Sequence, residues 1–266
     1  MTTAPSQTTP VAMIDRVASL LEVFDGRQQL TLVQISRLAG LPRSSAHRIL
    51  QRLVELGWVE RQGYEYALGM RMFELGAQVV RRDRVHQASL PLMHALHRST
   101  GLTAHLSVLV SSEVLHLERI GDWPQRGRGW RLGARQPAVH AAAGRALLAE
   151  LDQSEQPDLD FPAPATPYGI STPRQLRQEL DRVRDRGGVA VDTQGCTAGI
   201  TAVAAPIGPS ESRIRAAVSL CGPSDAMPLQ SAIDAVRITA MDIWYAASGM
   251  SRLRARSRPA PRPLIT

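Results

Sequence analysis

The 266-residue sequence predicts an α+β chain: a small helical unit carrying a hairpin, then a larger unit built on an antiparallel sheet. Two patterns predict this. Before residue 57, apolar residues recur three times at helical spacing and are followed by a short hairpin around a glycine; beyond residue 103, short alternating or wholly apolar runs are interleaved with helices. Charge separates the same parts. Residues 1–85 carry a net +3, residues 86–250 carry −1 and residues 251–266 carry +5, so the basic character belongs to the two ends.

Residues 1–12 are rich in Thr, Ser, Pro and Gln without an apolar period and read as a disordered arm. From Met13, the residues Ile14, Val17, Leu20, Leu21 and Phe24 make one helical stripe, stopped by Gly26. A second helix starts at Thr31. With Gln34 it forms a capping box, each side chain satisfying the other's free backbone N–H. Ile35 and Leu38 face inward, and Gly40 ends the run. The third helix starts near Pro42, whose missing N–H costs nothing in a first turn. Ala46, Ile49, Leu50, Leu53 and Leu56 make its inner stripe, and Trp58–Arg61 with Tyr64–Leu68 form a hairpin around Gln62-Gly63. Two helices joined by the short turn AGLPRS, with a hairpin behind them, are the plan of a winged helix-turn-helix over residues 13–70.

The outer face of the third helix shows Arg43, Ser44, Ser45, His47, Arg48, Gln51 and Arg52, and no acid lies between Arg27 and Arg52. An arginine face alone is ordinarily solvated surface. Joined to the cap, the short turn and the wing, it points to double-stranded DNA. In this motif the second helix enters the major groove. Arg48 and Arg52 then reach guanine edges or phosphates, Gln51 pairs with adenine, and Ser44 and Ser45 suit phosphate oxygens at the helix start. Thr31, at the start of the preceding helix, is counted with them.

Residues 71–85 read as a linker helix and residues 86–250 as a second domain. A helix carrying Leu90, Leu92, Met93 and Leu96 ends at Gly101, and strands Ala104–Val110 and Glu113–Ile120 flank Ser111-Ser112. A glycine- and arginine-rich loop follows. Its Arg126, Arg128, Arg131 and Arg135 read equally as solvated charge or as an attractor of an anionic ligand. Then come a small-residue helix, His140–Leu151, an acidic, proline-rich loop, and a charged helix opened by Thr172-Pro173 and stopped by Gly187-Gly188. Runs Ile200–Ile207 and Ile214–Leu220 complete the sheet, and a last helix covers Pro228–Ala247. Residues 251–266 read as a basic disordered tail, either attracting DNA without specificity or solubilising the chain.

Several classes are excluded. No run of about 18 uncharged apolar residues is present, so no membrane-spanning helix is expected. The N-terminal stretch lacks the order of a secretory signal, and the two cysteines, Cys196 and Cys221, are too few for a disulfide framework, so the expected setting is the cytoplasm. His94 and His97 share a helical face, with His105 and His116 on nearby strands, yet no placed thiol or carboxylate completes a zinc set and no metal is expected. Walker, GxSxG and HExxH patterns are missing, so neither a cofactor nor catalysis is expected.

The string LPRSSAHRILQRLVELGWVER…YALGMRMFELG resembles the DNA-binding domain of the IclR family of bacterial transcriptional regulators. Downstream, GRALLAEL at 144–151 is similar to that family's Gly-Lys-Ala-Leu-Leu-Ala helix, with Arg145 for the usual Lys, and DRVRDRGGVAVD at 181–192 and AAVSLCGPSDAM at 216–227 resemble two further family stretches. The resemblance implies a winged helix, a linker helix and a GAF-like ligand-binding domain, assembled as homodimers or dimers of dimers on a pseudo-palindromic operator. It implies a small organic acid effector touched by Ala143, Gly144, Asp192, Ala202, Ser219 and Cys221. Three departures reduce polarity there: Ala202 replaces a cysteine or polar residue, Cys221 a serine, and His140 comes one residue late after Pro137-Ala138-Val139. The expected effector therefore has more apolar surface than a two- or three-carbon keto acid, an aromatic or longer acid. The competing reading is a small-molecule-binding or hydrolytic α+β protein whose helical N-terminal module serves dimerisation.

Overall fold

The computed structural model describes residues 12–121, 130–152, 154–209, 212 and 214–250. Residues 1–11 of the expected arm, Arg126, Arg128 and the tail 251–266 lie outside the described residues. The chain forms two compact units that meet in sequence at Val79 and Val80.

The first unit holds α1 (Met13–Glu22), β1 (Leu30–Thr31), α2 (Leu32–Leu38), α3 (Arg43–Glu55), β2 (Val59–Gln62) and β3 (Glu65–Leu68), and then α4 (Met70–Arg82) begins. Its core gathers Leu20, Phe24, Leu30, Ile35, Ala46, Ile49, Leu50, Leu53, Val59 and Tyr66. Three expected core positions are instead exposed: Ile14 at 80%, Leu38 at 44% and Leu56 at 47%. Each sits at a helix end, where the apolar stripe runs past the neighbour it packs on. Thr31 has two roles. It pairs with Glu65 in a three-stranded sheet of order β1-β3-β2 and also caps α2, its N–H donating to Gln34 Oε1 at 2.8 Å and its Oγ1 accepting from the Gln34 N–H at 3.4 Å. A two-residue strand has no period to read, so β1 was not foreseen. Gly40, at φ +64°, makes the left-handed turn that lets Leu41 N–H return to Ser36 O and α3 start two residues later.

The second unit contains α5 (Arg84–Thr100), β4 (Thr103–Val110), β5 (Glu113–Ile120), β6 (Arg135–Pro137), α6 (Ala142–Ala149), α7 (Pro173–Asp185), β7 (Ala190–Thr193), β8 (Ile200–Pro206), β9 (Ala216–Pro223) and α8 (Leu229–Ala247). Asp83 separates α4 from α5, accepting the Val85 N–H at 2.8 Å as an N-cap. All strand pairs are antiparallel, in the order β6-β5-β4-β9-β8-β7. The two edge strands were not expected; at three and four residues they are too short to show alternation. The helix expected at His140 opens at Ala142, because the N–H groups of His140 and Ala141 turn back to Pro137 O.

Both faces of this sheet are covered. Met93, Leu96, Ala104, Leu106, Val203, Val218, Leu220, Val236 and Ile243 join one face to α5 and α8. Ala146, Leu147, Leu176, Leu180, Ala190, Ala202, Ala204, Ala217 and Cys221 join the other to α6 and α7. Strand residues alternate between the two sets, as the pleat requires. No helix among the described residues is long and apolar enough to cross a membrane.

The capping box that opens α7 repeats that of α2: Thr172 Oγ1 accepts from Gln175 N–H at 3.3 Å, and Gln175 Oε1 accepts from Thr172 N–H at 3.1 Å. Thr172→Ala is expected to destabilise the chain by about 1 kcal/mol in denaturant titration. An unchanged midpoint would show that the cap contributes nothing.

Candidate functional site

Two surfaces carry the sequence-expected residues, one in each unit. In the first, α3 buries Ala46, Ile49, Leu50 and Leu53. At 100° per residue that stripe turns Ser44, Arg48 and Gln51 directly outward, with His47 beside them and Arg43, Ser45 and Arg52 on the flanks. Ser45 is half-buried and the other six are exposed. The first turn of α3 contains no acid, so its N–H groups and dipole face solvent uncompensated, an arrangement suited to an anion. Arg52 pairs with Glu55 one turn on, at 2.7 Å. The stems of Arg48 and Arg52 line a groove of about 480 Å³ with Met13, Val17, Leu53 and Trp58, covering apolar surface while their guanidinium groups stay wet. The hydroxyl of Thr31 is already used as the α2 cap.

Sequence reasoning recognised the wing but named none of its residues as a DNA contact. Gly63 turns it at φ +61°, Arg61 Nε donates to Gly63 O at 3.0 Å, and the Arg61 guanidinium sits 5.6 Å from the Tyr66 ring centroid. Tyr64 stands at the tip, 86% exposed. An exposed aromatic at a hairpin tip was the available signal.

In the second unit, strand register gathers four of the six expected ligand residues on the α6/α7 face. Asp192, Ala202 and Cys221 lie directly opposite one another across β7, β8 and β9, and Ser219 lies one pleat along, opposite Ala204 and His105. Ala143 and Gly144 are in the first turn of α6, buried against that face. A methyl at position 144 would overlap the Ala138 carbonyl, so only glycine allows α6 this close.

Asp192 is not a free acid. Its Oδ1 lies 2.7 Å from an Arg145 guanidinium nitrogen, its Oδ2 accepts the Cys196 N–H at 2.9 Å, and the two side chains of the pair are only 4% and 5% exposed. Arg145 therefore ties α6 to β7. Burial, and then the Asp192 carboxylate, push the Cys196 thiol up to about 11, so it stays protonated and is no nucleophile. Burial also lowers the imidazole of His140, which bonds to Ile170 O at 3.1 Å.

The polar character of this face lies toward β4 and β5. Thr103, His105 and Ser107 alternate along β4 with Ala104, Leu106 and Val108. A bulge shifts the β4–β5 register between Leu106 and Ser107, so that Leu106 opposes Glu118 while Ser107 opposes His116. The bulge keeps His116 on the α6/α7 face and sends Glu118 to the other, where it meets His86 of α5 at 3.2 Å. Ser107 Oγ lies 2.8 Å from His116 Nδ1. Trp130 stacks on His116 with centroids 6.2 Å apart at 10°, stands 5.6 Å from His105, and donates from Nε1 to Thr197 Oγ1 at 3.3 Å. Among the described residues no group of three or more His, Cys, Asp or Glu is placed to hold a metal ion.

Comparison with known proteins decides which family this architecture belongs to. Residues 77–244 match the family described as bacterial transcriptional regulator IclR C-terminal, and residues 13–63 match the IclR helix-turn-helix domain. The chain belongs to the IclR family. It is a transcriptional regulator with an N-terminal DNA-binding domain, not an enzyme. Relatives of this IclR-family chain include the HTH-type transcriptional regulator XynR of Escherichia coli, 28% identical over 94% of this chain and 99% of the relative, and the transcriptional repressor IclR of Escherichia coli, 26% identical over 83% of each. A solved IclR homolog from Microbacterium hydrocarbonoxydans, complexed with 4-hydroxybenzoate, is 28% identical with a TM-score of 0.78, covering 90% of this chain and 100% of the other.

The Arg145–Asp192 pair generates a stability prediction. Asp192→Ala leaves a buried guanidinium without its carboxylate and is expected to cost about 3–5 kcal/mol in denaturant unfolding. The double variant Arg145→Met with Asp192→Leu is expected to lose less than that single change. A double variant as unstable as the sum of both singles would show that the two groups do not act as a pair.

Proposed function

We propose that this protein is a cytoplasmic, homo-oligomeric IclR-type regulator that reads a pseudo-palindromic operator through α3 and responds to a small organic acid held on the α6/α7 face of its sheet. The observation that carries the DNA reading is the outward ridge of Ser44, Arg48 and Gln51, opposite a fully packed inner stripe and behind an acid-free helix start. Arg48 and Gln51 read base edges. Arg43, Ser44, Ser45, His47 and Arg52 hold phosphates and set register, and Thr31 contributes by fixing the start of α2. Two copies present two such helices to half-sites about one turn of DNA apart.

The exposed apolar residues of α4 support the homodimer. Met70, Phe73 and Val79 are 64%, 70% and 72% exposed, and no residue of this 13-residue helix is buried. A second copy is the occupant that this stripe suits. Phe73→Asp is expected to lower the apparent mass in sedimentation; an unchanged oligomer would remove α4 from the interface.

For the effector, the first-turn N–H groups of Ala143 and Gly144 face a carboxylate, since the N-cap Ala141 offers no side-chain acceptor. Ser219 adds a hydroxyl, while Ala202 and Cys221 give apolar wall. Asp192 acts through Arg145, holding α6 in place, rather than by direct contact with ligand. The homolog complexed with 4-hydroxybenzoate supports an acid with an aromatic body. Binding alters transcription only if the effector prefers one arrangement of the paired DNA-binding domains over another.

Arg48→Ala is expected to weaken operator binding by about 1–3 kcal/mol and to relax base preference at one position of each half-site, read by mobility shift over a salt series. Binding unchanged in strength and preference would remove Arg48 from the interface, and binding insensitive to salt would overturn the DNA reading as a whole. In a calorimetric panel, glyoxylate or pyruvate bound as tightly as any larger acid would overturn the apolar-bodied effector.

A further inference from the structure

The end of α3 and the start of α4 meet at the open end of the wing. α3 closes in a Schellman turn: Gly57, at φ +73°, donates its N–H to Val54 O at 3.0 Å, and the Trp58 N–H reaches back to Leu53 O at 2.9 Å. The Trp58 carbonyl then accepts the Gly69 N–H at 2.8 Å, one residue beyond the Val59–Leu68 rung that ends the β2–β3 pairing. Gly69 O in turn accepts the Met72 N–H at 3.0 Å, so the same residue opens α4. The two helices are joined backbone to backbone.

This junction leaves no room for a side chain at position 69. A Cβ there would overlap the Gly57 carbonyl oxygen and crowd the Trp58 carbonyl carbon, and both obstacles are backbone, which cannot swing aside as a side chain does. Gly69 is not among the glycines with positive φ, so close approach, and not backbone conformation, is what requires glycine here. Arg71 stands over the other glycine of the junction, Gly57, and pairs with Glu74 at 2.6 Å. The Trp58 side chain lines the groove that the stems of Arg48 and Arg52 share. Close-packed groups transmit a displacement rather than absorb it, so α4 cannot tilt at its first turn without moving the corner that carries α3.

α4 presents Met70, Phe73 and Val79 to solvent, the stripe proposed as the contact between copies, and α3 presents the ridge proposed to meet the operator. With α4 set by the partner copy and α3 set by α4, one such corner in each copy fixes the separation of the two α3 helices. α4 is 13 residues long, about 20 Å. An angular change at its first turn therefore grows along the helix to the scale of one base-pair step, about 3.4 Å.

We propose that Gly69 is the positioning residue that sets the angle of α4 on α3, and with it the half-site spacing this regulator accepts. This rests on reading α3 as the DNA-facing helix and α4 as the contact between copies. Nothing on the α6/α7 face enters into it.

The test lets full-length wild type and Gly69→Ala each select duplexes from a random-sequence DNA library. Mobility shift then compares the selected duplexes with duplexes holding one half-site. Wild type is expected to select two half-sites at one fixed spacing, about one helical turn apart. Gly69→Ala is expected to select the same half-site sequence at a changed or relaxed spacing. It is also expected to bind the wild-type duplex about tenfold more weakly, while binding a single half-site as wild type does. A merely structural role would weaken both duplexes alike. Equal loss on both, or the wild-type spacing with an unchanged affinity ratio, overturns the proposal. If Gly69→Ala does not fold, hydrogen exchange in wild type decides. The Gly69 amide is expected to exchange as slowly as the amides in the middle of α3, and exchange much faster than those shows a corner that opens on its own and overturns the proposal. No duplex selected by wild type overturns the DNA reading, and single half-sites alone overturn the two-copy reading. Both differ from paired half-sites whose spacing is indifferent to Gly69.

Discussion

The second unit depends on one constraint: its sheet is covered on both faces. A strand in that position can send nothing to water, so every second side chain must find a partner on one side and every other on the opposite side. Along β4 the division is complete, with Ala104, Leu106 and Val108 toward α5 and α8 and Thr103, His105 and Ser107 toward α6 and α7. Burying a histidine, a serine and a threonine in this way is costly unless they are paired or meet a ligand. One layer therefore serves as the packing core and the other as the candidate binding surface.

The same economy of space shapes α6. All eight of its residues are buried and seven of them are Ala, Gly or Leu, which lets the helix lie close to the strands and to Ala138. Its one long polar side chain, Arg145, is held by Asp192. A buried pair of this kind adds little net stability, but it fixes where helix and edge strand meet. Positioning the first turn of α6 fixes the N–H groups proposed to receive an acid.

The first unit solves a different problem. Its helices are short, and their ends are held by local devices: the Thr31–Gln34 box, the left-handed Gly40 and the hydrogen bond from Ser36 Oγ to Leu41 O. With the termini satisfied, α3 can leave its outer face wholly polar, because four residues alone anchor it. No lysine stands on that face and, His47 aside, its basic residues are arginines, so its cationic donors are planar forks suited to guanine edges and phosphates rather than flexible ammonium groups.

Much of this was legible without coordinates, because it is local. Caps, glycine stops and 3.6-residue stripes set α1, α2, α3 and α7, and alternation about Ser111-Ser112 set β4 and β5 to within a residue. The outward residues of α3 followed from its inward ones. The short strands β1, β6 and β7 left no signal, and Ile14, Leu38 and Leu56 showed that an apolar stripe does not reveal where its partner ends. By itself, then, the sequence determined the order of the longer elements, the basic ends around a near-neutral middle and the outward polar ridge of α3, most of which rest on neighbours within a few residues. Only the tertiary structure decided which long-range groups meet: Arg145 with Asp192, Trp130 with the histidine pair, and His116 on the same face as His105. The last depends on a single bulge in β5, and a one-residue shift in a strand of period two reverses a side chain's face without leaving a trace in composition or spacing.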